Sequence, residues 1–269
     1  MLTLRKSLIK INNRLITRSK NILTPTESIE YITENHCSIA RYGDGEMTYI
    51  IKKSDIWFQN FDESLRKRLL AILKGKHNSK LIVGIPYSIN STEFYPETEK
   101  TFWQSNMQIY RVFWHYLCKD KLYIDSLMFR LYNSFDSSDQ ADAYEKIKSI
   151  FNNKKCLIIE GENSKLGVNN NIFEYADKVS RIICPSKNVW NKYDMILKKA
   201  ISFKEDFDLI LVSLGPTATV LADDLANEGM WCIDIGQINV AELVINEATP
   251  AKFSINEADY FSQIICELT

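Results

Sequence analysis

Two carboxylates flank a single glycine at Asp44-Gly45-Glu46, where a short apolar run gives way to a helical pattern. Hard oxygen donors at that spacing could share one divalent cation, and the glycine lets the backbone bend around it. Mg2+ or Mn2+ suits such donors, with phosphate oxygens and water completing the shell. The ion would then stabilise a diphosphate as a leaving group. The same residues also read as an ordinary helix start, with Asp at the cap and Glu in the first turn. Arg41 and Tyr42 stand just before them and add a cation to the turn.

Four further loops follow apolar runs. Glu160-Gly161-Glu162-Asn163-Ser164-Lys165-Leu166-Gly167 is read as opening a helix, where backbone N–H groups favour anions and Lys165 could pair with a phosphate. It is neither a GxGxxG nor a P-loop pattern. A plain connection with Lys165 in solvent fits equally. Cys184-Pro185-Ser186-Lys187-Asn188 offers polar atoms that could read a base edge. Leu214-Gly215-Pro216-Thr217 puts proline at a first helical position and a hydroxyl near the positive helix end, for a phosphate contact or simply a helix start. Asp234-Ile235-Gly236-Gln237 is the fifth loop of the set. Together they predict a shared polar crevice.

The elements that must position these loops come from periodicity. Apolar runs at 37–41, 80–85, 122–132, 156–160, 181–184, 209–214 and 231–235 read as strands, with Arg130 carried on the third. Helices are predicted over 27–34, 47–51, 97–118, 138–151, 168–176, 188–201 and 217–228, with a further helix capped by Asp62. Strands that are apolar throughout and alternate with helices predict an α/β fold, a Rossmann-like, mostly parallel sheet with helices on both faces. The chain has nine glycines in 269 residues, about half the usual share of ~7%. Gly75 and Gly229 follow helical patterns as C-terminal caps, and the other seven follow apolar runs. In open α/β sheets ligands bind past the strand C-termini. Aromatic residues of 97–118, Trp103 and Trp114 among them, recur at helical spacing and read as core rather than as a sugar subsite.

Residues 1–26 are set apart from a single domain over 27–269. The first twenty hold six basic residues and no acid, with Leu4, Leu8, Ile11 and Leu15 at helical spacing. This amphipathic helix either docks on protein or touches an anionic membrane surface. The net charge of −1 gives no field for nucleic acid. Six cysteines without a CxxC pair read as free thiols of a cytoplasmic protein, and three scattered histidines suggest no zinc site. Self-association is left open.

The ordered set Arg41-Tyr42-Gly43-Asp44-Gly45-Glu46, Gly84-Ile85-Pro86, Glu160 to Val168, Ile183 to Asn188, Tyr193-Asp194, Leu214 to Thr219 and Asp234-Ile235-Gly236 resembles the bacterial GT-D glycosyltransferases over residues 35–240. The resemblance implies a GT-D-type sheet, a nucleotide-sugar donor that is usually UDP-linked, and a metal motif falling on Asp44 and Glu46. It also implies transfer to a glycan or glycosylated carrier in surface-glycan or glycoprotein assembly; the cysteines and the basic helix add the expectation of a cytoplasmic protein at the inner face of the cell membrane. Candidate donor contacts are then Arg41, Gly43, Arg130, Glu160, Gly161, Lys165, Gly167, Pro185, Ser186, Asn188, Gly215 and Thr217. Asp234 or Glu242 is the candidate base. Past Ile235-Gly236 the sequence departs from the family pattern of a His and then an Asp, placing Gln237 and Asn239 there. The expectation is a metal-dependent hexosyltransferase. The rivals are a non-catalytic partner in a glycosylation complex and a different α/β enzyme, with the missing GxGxxG weighing against a dehydrogenase.

Overall fold

A computed structural model describes residues 19–268 except 94, 120, 132–134, 136–138 and 237–256. Eight strands form one sheet: β1 (Ser38–Arg41), β2 (Leu81–Ile85), β3 (Ile124–Asp125), β4 (Lys155–Gly161), β5 (Lys178–Cys184), β6 (Leu209–Ser213), β7 (Cys232–Asp234) and β8 (Ile264–Glu267). Their order is β3-β2-β1-β7-β6-β4-β5-β8, and every pairing is parallel. The helices are α1 (Pro25–Asn35), α2 (Asp44–Lys52), α3 (Glu63–Leu73), α4 (Glu97–Leu117), α5 (Gln140–Ile150), α6 (Tyr193–Ile201), α7 (Pro216–Asn227) and α8 (Glu257–Ser262).

Successive strand residues feed opposite faces, which is why the strands are apolar throughout. Ala40, Leu157, Ile159, Ile210, Val212 and Cys232 join one cluster with residues of α2, α3, α4, α6 and α7. Ile39, Ile158, Leu209, Leu211 and Ile233 join the other, under α1 and α5. The predicted parallel sheet with helices on both faces is therefore the observed one. Trp103, Tyr110 and Trp114 of α4 are buried in the first cluster, as core.

Helix boundaries follow their caps. Thr24 and Glu27 close a capping box on α1. Asp62 accepts from the Ser64 and Leu65 N–H groups at the start of α3. Gly75 and Gly229, with φ of +84° and +79°, stop α3 and α7 as predicted.

Four readings are corrected. The strand predicted over 122–132 is not long among the described residues: β3 is two residues, followed by turns, and Arg130 stands beyond it. The apolar side chains that suggested a strand, such as Leu127, Met128 and Phe129, are buried from turns instead. Residues 168–176 are turns, not a helix. Residues 188–201 divide into a 3-10 turn, Val189–Lys192, and α6. The chain end adds β8 along the edge of β5, an element the periodicity did not reveal. The basic helix predicted for residues 1–20 lies outside the described residues, apart from Ser19 and Lys20. The Lys20 ammonium donates to the Cys118 carbonyl at 2.9 Å and is buried. Among the described residues no helix is long and apolar enough to cross a membrane.

Candidate functional site

The loops after β1, β3, β4, β5, β6 and β7 surround one crevice of about 610 Å³ at the C-terminal end of the sheet. The strand order explains the place. From β1 the chain builds outward through β2 and β3, whereas β4 to β6 build the other half, and β7 joins the two. Such a junction opens a cleft between diverging loops.

At its floor lies Arg41, the last residue of β1. Its backbone N–H donates to Asp234 Oδ2 at 3.2 Å, and its Nη1 donates to the Ser126 carbonyl at 2.6 Å. The guanidinium Nε faces Asp234 Oδ1 at 3.7 Å and has no hydrogen-bond partner among the described residues. The Thr219 hydroxyl, from α7, donates to Asp234 Oδ2 at 3.1 Å or to the Arg41 carbonyl at 3.0 Å. Gly236 has φ +58°, and a Cβ there would overlap Arg41 Nη2. Only glycine lets the chain leave β7 against the guanidinium.

α2 starts at the same floor. The residues do start a helix, but Gly43 rather than Asp44 is its N-cap; Asp44 and Glu46 both stand in the first turn, where Glu46 Oε2 accepts the Gly43 N–H at 2.8 Å. Both carboxylates also border the crevice. Burial pushes the Glu46 carboxyl up, and the neighbouring Asp234 and Asp44 charges push it further, against the Gly43 N–H that favours its ionised form. Burial likewise raises Asp234, opposed by Arg41. Asp125, buried beneath, is pushed up to about 7 by burial, against the N–H groups of Tyr87 and Leu127.

A divalent ion fits this donor set in one form only. Asp44 and Glu46 are two positions apart on a helix, where residues do not share a face. Among the described residues no three His, Cys, Asp or Glu side chains gather into a cage. One or two carboxylates supplemented by diphosphate oxygens and water is the Mg2+-type arrangement, and a dication would relieve the crowding of Glu46 by its acidic neighbours.

The crevice brings together Arg41, Gly43, Asp44, Glu46, Arg130, Gly161, Pro185, Ser186, Gly215 and Asp234 of the predicted set. Five others stand elsewhere. Glu160 is wholly buried away from it, paired with Arg181 and accepting the Leu166 N–H at 2.7 Å, so it is no donor contact. Lys165 lies over the Tyr260 ring, 6.0 Å from its centroid. Gly167, at φ +78°, packs against Phe173. Asn188 accepts the Asn60 N–H at 2.8 Å and gives its own N–H to the Phe58 carbonyl. Thr217 is buried in the first turn of α7, its hydroxyl without a partner among the described residues. Glu242, Gln237 and Asn239 lie outside the described residues. Asp234 is engaged by Arg41 and Thr219, which makes it an anchor for the guanidinium.

Sequence reasoning missed the turn over residues 55–59, which forms one wall. Its signal was an apolar Ile56-Trp57-Phe58 triplet between polar neighbours, outside any period.

A family model described as the glycosyltransferase GT-D fold matches residues 39–260. A probable glycosyl transferase Gly of Streptococcus gordonii is 34% identical over 223 residues, 82% of this chain. Glycosyltransferase GlyD of Streptococcus pneumoniae serotype 4 is 32% identical over 260 residues, 90% of this chain. The chain spans about a third of each, 32% of its length. A solved structure of a domain of unknown function 1792, described as having a distinct glycosyltransferase fold, superposes with a TM-score of 0.83 at 32% identity, covering 98% of this chain and 99% of that one. A structure described as a new glycosyltransferase from Streptococcus sanguinis gives 0.82 at 28% identity, covering 93% and 100%.

Proposed function

The chain belongs to the GT-D-fold glycosyltransferases, and from that premise we propose that it is a metal-dependent hexosyltransferase using a UDP-linked sugar. The acceptor is a glycan or glycosylated carrier in bacterial surface-glycan or glycoprotein assembly, reached from the cytoplasmic side. The observation that carries the reading is the crevice itself, where Asp44 and Glu46 stand at the start of α2 beside Arg41 and Arg130.

In this reading Asp44 and Glu46 hold Mn2+ or Mg2+. The bound ion supplies charge neutralisation to the departing diphosphate. Arg130 adds a cation at the crevice wall. Arg41, held by Asp234 and the Ser126 carbonyl, adds a second cation at the crevice floor. Gly161, Pro185, Ser186 and Gly215 form the backbone cradle around the nucleotide. The acceptor oxygen bonds to the anomeric carbon as the bond to the diphosphate oxygen breaks. With Asp234 engaged by Arg41, Glu242 is the remaining candidate to take the acceptor proton.

The test is hydrolysis of a panel of nucleotide sugars by the intact chain with and without Mn2+, with UDP affinity measured by calorimetry in parallel. Slow Mn2+-dependent release of UDP from one donor supports the reading. Absence of both UDP binding and hydrolysis overturns it and favours a non-catalytic partner.

A further inference from the structure

The wall formed by residues 55–59 holds two exposed aromatic side chains. Phe58, 43% exposed, lays one edge of its ring beside Gly215, whose φ is +56° and whose Cβ position that edge occupies. Trp57, its neighbour, is 96% exposed, although it borders the crevice. A solitary exposed apolar residue usually needs no explanation. This one sits on a turn fixed from several sides. Ile56 and Gln59 exchange backbone hydrogen bonds at 3.0 and 3.1 Å. The Phe61 N–H donates to Asp55 Oδ1 at 2.7 Å. Asn188, past β5, accepts the Asn60 N–H at 2.8 Å and donates its own N–H to the Phe58 carbonyl at 2.8 Å. Gln59 is buried and accepts the Trp190 N–H at 3.3 Å. The backbone beneath the indole is thus anchored, so the ring is presented at the opening with no ordering cost for its support.

We infer that Trp57 is a stacking platform for the acceptor saccharide. The inference rests on the proposed glycosyl transfer and adds the place where the second substrate enters. A pyranose ring offers a face of C–H groups that packs on an aromatic π-face, and Trp carries the largest such face among side chains. The donor's diphosphate belongs at the floor, against Asp44, Glu46 and Arg130. Phe58 and the loops after β4 to β6 enclose the region above that floor. The outer lip is left for a ligand arriving from solvent, and there the exposed indole stands.

The probes are methyl β-glucoside, methyl β-galactoside, methyl N-acetylglucosaminide, cellobiose and lactose. Saturation-transfer NMR with the intact chain, UDP and diamagnetic Mg2+ reads which ring protons touch protein. At least one saccharide gives ring C–H saturation in the wild type. Trp57→Ala reduces that signal at least fivefold, and Trp57→Phe or Trp57→Tyr restores most of it. Calorimetry shows the same UDP dissociation constant in all four proteins. No saccharide contact in the wild type, or an unchanged signal in Trp57→Ala, overturns the platform. A UDP affinity weakened by Trp57→Ala assigns the ring to the nucleobase and overturns it too. Failure of the wild type to bind UDP at all defeats the transferase reading separately, and the saccharide signals still decide the platform.

Discussion

Two buried arginines face carboxylates across neighbouring strands, and they differ in how completely they are satisfied. Arg181 on β5 meets Glu160 on β4, both fully buried. Its Nε donates to the Gln263 side chain at 2.8 Å, its Nη2 to the Leu166 carbonyl at 2.8 Å, and Tyr260 covers it at 4.7 Å. Arg41 on β1 meets Asp234 on β7 at 3.7 Å and keeps an Nε with no hydrogen-bond partner among the described residues. A closed, fully bonded pair holds architecture together. The Arg41–Asp234 pair is looser and lies at the crevice floor, where the loops after the strands meet. The comparison sets a sealed pair between β4 and β5 against a looser pair between β1 and β7 that borders the crevice.

The comparison breaks at its strongest point if the crevice acids prove dispensable. Asp44→Asn is expected to lower transfer by roughly 100-fold or more while leaving the thermal midpoint near that of the wild type. Steady-state transfer assays and thermal denaturation check both halves. At the closed pair the expected loss is of stability. Glu160→Gln leaves Arg181 buried against a neutral partner and costs about 3 kcal/mol. Urea unfolding reads it, and the folded fraction keeps its UDP affinity. Gly236→Ala sharpens the contrast, since the added Cβ must displace the Arg41 guanidinium. Transfer should fall about tenfold, with about 1–2 kcal/mol of stability lost to the left-handed backbone.

The last effect is in pH. Asp125, beneath Arg41, has its carboxyl raised to about 7 from an ordinary value near 3.8. The folded state therefore binds this proton more tightly than the unfolded chain. Its contribution favours folding most fully at acid pH and is lost as pH rises from about 4 to 7. Asp125→Asn should flatten the pH dependence of the urea midpoint across that window. An unchanged slope would remove Asp125 as its source.

The sheet and the crevice were legible in the sequence because parallel strands buried on both faces are continuous apolar runs, and their terminal loops carry the glycines. Glu160 misled because its partners are remote: Arg181 is a neighbour only through strand pairing, and Gln263 only after β8 docks on the edge. Next to Gly161 in sequence it looks like a ligand residue. In space it faces inward. Arg130 was placed on a strand because buried turns carry the same apolar composition as a strand. Trp57 escaped because no periodicity flags an apolar residue whose place is in solvent.

The sheet order has a consequence for how the enzyme comes into being. β7 is the last central strand to emerge, yet it is the slat between β1 and β6. Arg41 waits through 193 positions of chain for Asp234. Contacts so distant in sequence form late and slowly. Until β6 and β7 have been made, β1–β3 and β4–β5 have no strand between them to join one half of the sheet to the other, and Arg41 has no Asp234 to hold it.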